Sequence, residues 1–275
     1  MSLNTSFVHL RLHSEYSIVD GAVRIDDAIS AAVGDQMGAL ALTDLGNVFG
    51  LVKFYQSARK EGIKPIIGSD VWISNPEDRD KPFRLQLLVK NHQGYLNLCE
   101  LLTKASLTNQ YKGRAEVDPV WFKEHADGLI ALSGARFGDV GVALLANQED
   151  EALNRAKVWA NYFPNSFYIE IQRAGHPQDE AQLHGAVHLA NQLKLPVVAT
   201  HSIQFMKPSD FTAHEARVCI AEGEILANPK RVKKFSPEQY FKSQAEMHEL
   251  FADLPAAITN SVEIAKRCNL SLTLG

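Results

Sequence analysis

The chain has 275 residues, 45% hydrophobic and 22% charged, with a net charge of −4. This balance is close to the globular norm and excludes a disordered chain, a collagen and a disulfide miniprotein. No run of about 18 apolar residues offers a membrane span, and the acidic balance excludes a chain that lives by wrapping nucleic acid, so any such contact must be local.

Short apolar strands alternate with amphipathic helices along the sequence. Phe7 to His13 reads as a strand, and Arg24 to Met37 as a helix through Ile25, Ala28, Ile29, Ala32 and Val33. Ala39 to Thr43 is a strand. Val48 to Glu61 is a helix, with Gly62 where a C-terminal cap belongs. Ile63 to Ile73 and Phe83 to Val89 are strands, and Tyr95 to Ser106 is a helix. Leu129 to Ser133 is a strand, followed by helices at Asp139 to Asn147 and Glu151 to Tyr162. Phe167 to Gln172 is a strand, Asp179 to Leu193 a helix, and Pro196 to Thr200 a strand. Beyond these come helices only, at Asp210 to Glu222, Ala245 to Phe251 and Pro255 to Arg267.

Such alternation predicts parallel pairing with right-handed crossovers. No phosphate-binding glycine motif follows a strand, so a closed or nearly closed β/α barrel is favoured over a nucleotide-binding fold. Barrel sites lie at the C-terminal ends of strands. Polar residues collect there: His13 to Tyr16, Thr43 and Asp44, Ser69 and Asp70, Ser133, Glu170 to Arg173, and Thr200 to Gln204.

Cys99, Cys219 and Cys268 share no CxxC spacing, which argues against a zinc ribbon or disulfide framework and for a reducing, cytoplasmic setting. Met1 to Ser6 shows no signal-peptide pattern. The alternation Leu270, Leu272, Leu274 at the chain end predicts a piece of a longer protein.

Ten histidines invite a metal reading. His9, Arg11 and His13 share one face of a strand at period two. Arg11 opposes a metal there: at about 5 Å and an effective dielectric near 20, each unit of like charge costs about 3 kcal/mol. Arg11 could instead take a metal's electrostatic place by pairing with Asp44 or Asp70. His184 and His188 have the i, i+4 spacing of HExxH but lack its glutamate, and read as surface residues. His201 follows a strand, beside the poor ligands Ser202 and Gln204. Lys230, Arg231, Lys233 and Lys234 form a basic run that could touch nucleic acid or an acidic partner, or simply be solvated.

Several long segments resemble a known family. His9 to Val23 (HLRLHSEYSIVDGAV), Leu42 to Tyr55 (LTDLGNVFGLVKFY) and Gly62 to Asp70 (GIKPIIGSD) resemble PHP domains, in the wording carried at the N-terminus of bacterial, proteobacterial-like DNA polymerase III alpha subunits. Leu129 to Val142, Asp210 to Val218, Ser236 to Ser243 and Leu250 to Asn269 fit the same pattern. The resemblance implies an α/β fold: a distorted (βα)7-type barrel with C-terminal helices. Residues 1–275 would be one domain, of which about 208–275 is a helical exit segment leading to a polymerase palm.

Active members of that family hold up to three metal ions at the strand ends and hydrolyse phosphoesters. The resemblance implies ligand positions at Arg11, His13, Asp44, Leu45, Asp70, Ser106, Ala135, Ser202 and Gln204. Only His13, Asp44 and Asp70 keep good ligands. The reading is therefore a catalytically degenerate PHP domain, with no metal or cofactor of its own and no catalytic residue. By resemblance it would support the palm and thumb of the same chain and dock the proofreading exonuclease (epsilon) subunit within the replisome. The full-length protein would be a DNA-directed DNA polymerase, a nucleotidyltransferase using Mg2+ on template-primer DNA. The alternative is a residual metal-dependent phosphoesterase or pyrophosphatase on His13, Asp44 and Asp70, with His201 recruited. A free-standing metabolic hydrolase is disfavoured by the helices after Asp210.

Overall fold

Seven extended segments close into a ring in the computed structural model, which describes residues 6–228 and 230–274. They are residues 7–13 and six strands: β1 (Ala39–Leu42), β2 (Lys64–Ile73), β3 (Phe83–Val89), β6 (Leu129–Leu132), β7 (Phe167–Gln172) and β8 (Val197–Thr200). The sheet runs β1-β2-β3-β6-β7-β8. Residues 7–13 complete the ring. On one side Ala41 N donates to His9 O at 2.9 Å and Thr43 N to Leu12 O at 3.0 Å. On the other, His13 N donates to Ile203 O at 3.0 Å. The distorted barrel expected from the sequence is the fold observed.

The pairing is not parallel throughout, as the sequence suggested. β3 runs antiparallel to both β2 and β6. Residues 74–82 between β2 and β3 hold no helix, so the chain turns back beside β2. A small hairpin, β4 (Gln110–Tyr111) and β5 (Arg114–Val117), was not foreseen. Lys112 and Gly113 both take positive φ at its tip (48° and 79°), as a two-residue hairpin of this hand requires. β5 pairs with Trp72 and Ile73 of β2, beyond the Lys64–Ile67 stretch that β1 occupies.

Strand alternation divides the apolar residues into two layers. Ala39, Ala41, Ile66, Leu88, Ile130, Leu132, Tyr168 and Val198 meet Val8 and Leu10 inside the barrel. The opposite parity, including Leu40, Leu42, Ile67, Val71, Leu85, Leu87, Ile169 and Ile171, packs against the surrounding helices. These are α1 (Ile25–Gly34), α2 (Leu51–Lys60), α3 (His92–Thr108), the short α4 (Phe122–His125), α5 (Asp139–Leu145), α6 (Glu149–Tyr162) and α7 (Asp179–Leu193). Helical spacing explains each buried face: α2, for example, buries Leu51, Phe54, Tyr55 and Ala58.

Three further helices follow: α8 (Phe211–Glu222), α9 (Gln244–Leu250) and α10 (Pro255–Arg267). The sequence reading counts this region within the one domain, as a helical exit segment. In the structure it packs back onto the barrel. Ile264, Ala265 and Cys268 join the interior apolar cluster and plug the barrel floor. Gln204 N donates to Gln239 O at 2.9 Å and Phe241 N to Phe205 O at 3.1 Å, so residues 230–243 lie along the barrel rim. Arg173 at the end of β7 makes bidentate pairs with Glu180 of α7 and Asp253 before α10, and donates to Leu250 O at 2.7 Å.

Candidate functional site

The apolar interior gives way to charge at the strands' C-terminal ends. Asp70 on β2 and Glu170 on β7 keep the inward parity of Ile66 and Tyr168. Arg84 on β3 keeps that of Leu88 and enters from the same end, because β3 is antiparallel. Residues 7–13 break the alternation. Leu10 and Arg11 both face inward, Leu12 packs in the outer layer, and His13 faces inward again.

Arg11 is the hub. Its Nη1 donates to Asp70 Oδ2 at 2.5 Å, while Nε and Nη2 donate to the two oxygens of Glu170 at 3.0 and 3.1 Å. Arg84 Nη1 also donates to Asp70 Oδ2 at 2.7 Å, and its guanidinium stacks 3.8 Å over the Trp72 ring. His13 Nδ1 donates to Asp20 Oδ1 at 3.0 Å, and its Nε2 faces Asp70 Oδ2 at 3.4 Å. Thr200 Oγ1, Gln172 Nε2 and Gly134 N all donate to Glu170. Gly134 holds φ 79°, and a Cβ there would meet Arg84 O at 2.3 Å, so only glycine fits. Ser14 donates to both Asp44 oxygens, from N at 2.6 Å and from Oγ at 2.9 Å.

Three cations thus face three carboxylates out of water. Burial alone would depress His13, but Asp20 and Asp70 overcome it and lift its pKa to about 9. Burial would raise Asp20, but His13 and Arg84 hold it at about 2. Burial would likewise raise Asp70, and Arg11, Arg84 and His13 pull it well below the usual carboxylate range. Arg11 is held cationic by Asp70 and Glu170 against its burial. Asp44 is the exception: burial outweighs its Ser14 bonds and pushes it to about 6.

This donor set does not fit a multinuclear metal centre. Both oxygens of Glu170 and Oδ2 of Asp70 are committed to arginine, and a cation stands where a metal would need to sit. His13 Nδ1 is committed to Asp20, and a metal at Nε2 would have to displace the proton that Asp20 and Asp70 hold there. Among the described residues, no three His, Cys, Asp or Glu side chains converge on a metal-holding arrangement.

Several sequence expectations are corrected by this geometry. Of the two partners expected for Arg11, the structure has Asp70 and not Asp44, and it adds Glu170. His9 does not share the face of Arg11, because the phase slip at Leu10 sends it outward. There it packs against Phe7 and Phe241, and its Nε2 donates to Lys242 O at 2.6 Å. His201 is not recruited to His13; it is buried, donates from Nε2 to Glu238 O at 2.9 Å, and burial depresses it to about 3. Ser106 is exposed near the end of α3, and no hydrogen bond joins its side chain to the cluster. Leu45 bridges to Asp70 through backbone, and Ala135 is buried beside Gly134. Ser202 Oγ donates to Gln172 Oε1 at 3.0 Å, and the Gln204 amide lies 3.3 Å from His13 Nδ1. In the basic run, Arg231 turns inward onto Glu215 and Lys234 Nζ pairs with Glu222 at 2.6 Å, leaving Lys230 and Lys233 exposed. His184 and His188 are exposed, as their spacing without the glutamate suggests, and so are His92 and His248.

Asp20 and Arg84 were missed. Arg84 was legible from its inward parity with Gln86 and Leu88. Asp20 lies in a loop, where no periodicity signals it.

The raised pKa of His13 makes stability pH-dependent. The folded state keeps a proton that the unfolded state releases above about 6.5, so His13's contribution is full below that pH and is lost as pH rises through about 9. The shift corresponds to about 3 kcal/mol. Urea midpoints of the wild type should fall between pH 6.5 and 9, and those of His13→Gln should stay flatter. Equal slopes would contradict the pairing. On the acid side, burial depresses His9 to about 4 and His201 to about 3, so their contribution is lost below about pH 6.5. Asp44, raised to about 6, opposes that loss over part of the range.

Comparison with known proteins places this constellation in a family. A PHP domain family model matches residues 9–174. The DNA polymerase III subunit alpha of Pseudomonas fluorescens is 52% identical over 271 residues, covering 98% of this chain and 23% of that protein. The subunit of the same name from Escherichia coli K12 is 44% identical over 269 residues, with the same coverage. The chain thus spans about a quarter of the length of these relatives. Among solved structures, an amidohydrolase from Chromobacterium violaceum with bound sulfate aligns with TM-score 0.47 and 14% identity, covering 72% of this chain and 87% of that one. The residues that Arg11 ties together, from His13 and Asp20 to Arg84 and Glu170, all fall within the matched stretch. The chain belongs to the PHP domain family, in the form found in bacterial DNA polymerase III alpha subunits.

Proposed function

We propose that this chain is a catalytically degenerate PHP domain that supports a replicative DNA polymerase and docks its proofreading exonuclease subunit. One observation carries the loss of catalysis: Arg11 occupies the space between Asp70 and Glu170 and uses their oxygens. The remaining ligands of the alternative phosphoesterase or pyrophosphatase, His13, Asp44 and Asp70, are each engaged by protein. On this reading the polymerase chemistry, its Mg2+ and its template-primer DNA belong to the full-length protein. The palm and thumb are then same-chain neighbours of this domain. Among the described residues, no helix is long and apolar enough to cross a membrane.

Docking is supported by apolar side chains left in water near the barrel mouth. Ile18 is 69% exposed and Ile220 of α8 is 84% exposed. They flank a groove of about 1010 Å³ that also includes Met206 and Ala213. Soluble proteins seldom expose such a patch without a partner.

Metal content tests the first claim. Chelator-free protein, dialysed against Mn2+ or Zn2+, should retain no stoichiometric metal and show no phosphatase activity. Arg11→His should raise metal content, because it removes the cation and restores a ligand. Stoichiometric metal in the wild type, with activity lost in Asp44→Ala, would overturn the degenerate reading. A pull-down with the exonuclease subunit at micromolar concentration tests docking. Capture that Ile220→Asp weakens is expected, and no capture of wild type would overturn it.

A further inference from the structure

The opposite end of the barrel carries a second concentration of charge, and there two cations, Lys90 and Arg267, form no ion pair among the described residues. We propose that Lys90, Arg267, Ser166 and Tyr168 form a binding site for a phosphate group at the barrel floor.

The topology brings these residues together. Lys90 follows β3, whose C-terminal end lies at the floor because the strand is antiparallel. Ser166 precedes β7, Tyr168 is the second residue of that strand, and Arg267 ends α10, the plug. Lys90 Nζ and Arg267 Nη2 donate to the same oxygen, Ser166 Oγ, at 3.1 and 3.0 Å. Arg267 Nη1 donates to the Tyr168 hydroxyl at 2.7 Å. Neither cation has an ion pair among the described residues.

Two positive groups converging on one neutral hydroxyl repel each other. Burial lowers the Lys90 pKa, and the charge of Arg267 lowers it further, against a smaller opposing pull from Asp127. The ordinary explanation is that these cations complement the C-terminal end of α10. Lys64 already does that, donating to Ala265 O at 2.7 Å and to Asn269 Oδ1 at 2.8 Å. Lys90 and Arg267 are therefore surplus to the helix end.

Unused donors remain on both. An ammonium offers three protons and a guanidinium five. A recess of about 240 Å³ opens beside Lys90 and Ser166, with Lys123 and Tyr162 also on its wall; Arg267 and Tyr168 reach it only through their hydrogen bonds to Ser166 and to each other. Asp127 and Glu124 share its wall without forming an ion pair to Lys90. A fork, a point charge and two hydroxyls suit an anion with several oxygens around one centre, which is the geometry of a phosphate. The phosphate could be free or part of a nucleic-acid backbone.

The test titrates the 275-residue protein with inorganic phosphate at constant ionic strength, with chloride as control, and follows amide chemical shifts. Saturable shifts at residues 90, 166 and 267 are expected. Lys90→Met should weaken binding by about tenfold, with an unchanged far-ultraviolet spectrum. Arg267→Gln should do the same, and Ser166→Ala, which spares the plug, guards against misfolding. Displacement of phosphate by a short oligothymidylate assigns the site to a phosphodiester; failure to displace assigns it to free phosphate. No saturable binding of inorganic phosphate, or unaltered affinity in Lys90→Met and Ser166→Ala, would overturn the proposal.

Discussion

Arg11 is the constraint on which the mouth of the barrel depends. A buried guanidinium is tolerable only with carboxylates around it, and Asp70 and Glu170 supply them at hydrogen-bond distance. The balance extends outward. Arg84 and His13 share Asp70, and Asp20 then balances His13. Three cations and three carboxylates make a neutral group at the barrel mouth. Removing one member leaves a buried charge exposed to no water, which costs about 3–5 kcal/mol. The cluster thus binds residues from across the sequence into one unit, and that is a structural task.

The two ends of the barrel solve different problems. At the mouth, charge neutralises charge. At the floor, α10 inserts Ile264, Ala265 and Cys268 into the apolar interior. Burial pushes the Cys268 thiol up to about 12, as expected for an inert packing residue. The segment read from sequence as the helical exit of the domain also forms the base of its barrel. The Arg173 pairs with Glu180 and Asp253 hold that segment to β7 and α7.

Much of this was legible in the sequence. β3, β7, α7 and α10 have the expected limits, because strand and helix periodicities and their terminating residues are local signals. The antiparallel course of β3 was not read, since it depends on the absence of a helix between two strands rather than on either strand. The β4–β5 hairpin was missed because its strands are too short to alternate. At the site, Arg11 was recognised as the obstacle to a metal, but its second partner was not. Glu170 lies 159 positions away, and only the closed ring makes them neighbours. His9 was misplaced because a period-two argument assumes unbroken alternation, and residues 7–13 break it at Leu10.

The account stands on the coupling between Arg11 and Glu170, and a double-mutant cycle measures it directly. Arg11→Met and Glu170→Gln would each be compared with the double variant by urea unfolding at pH 7. Each single change should cost about 3–5 kcal/mol, and the double variant should cost no more than either, because it leaves no unpaired buried charge. Additive costs, within about 0.5 kcal/mol, would mean that the two side chains act independently and would contradict the central claim.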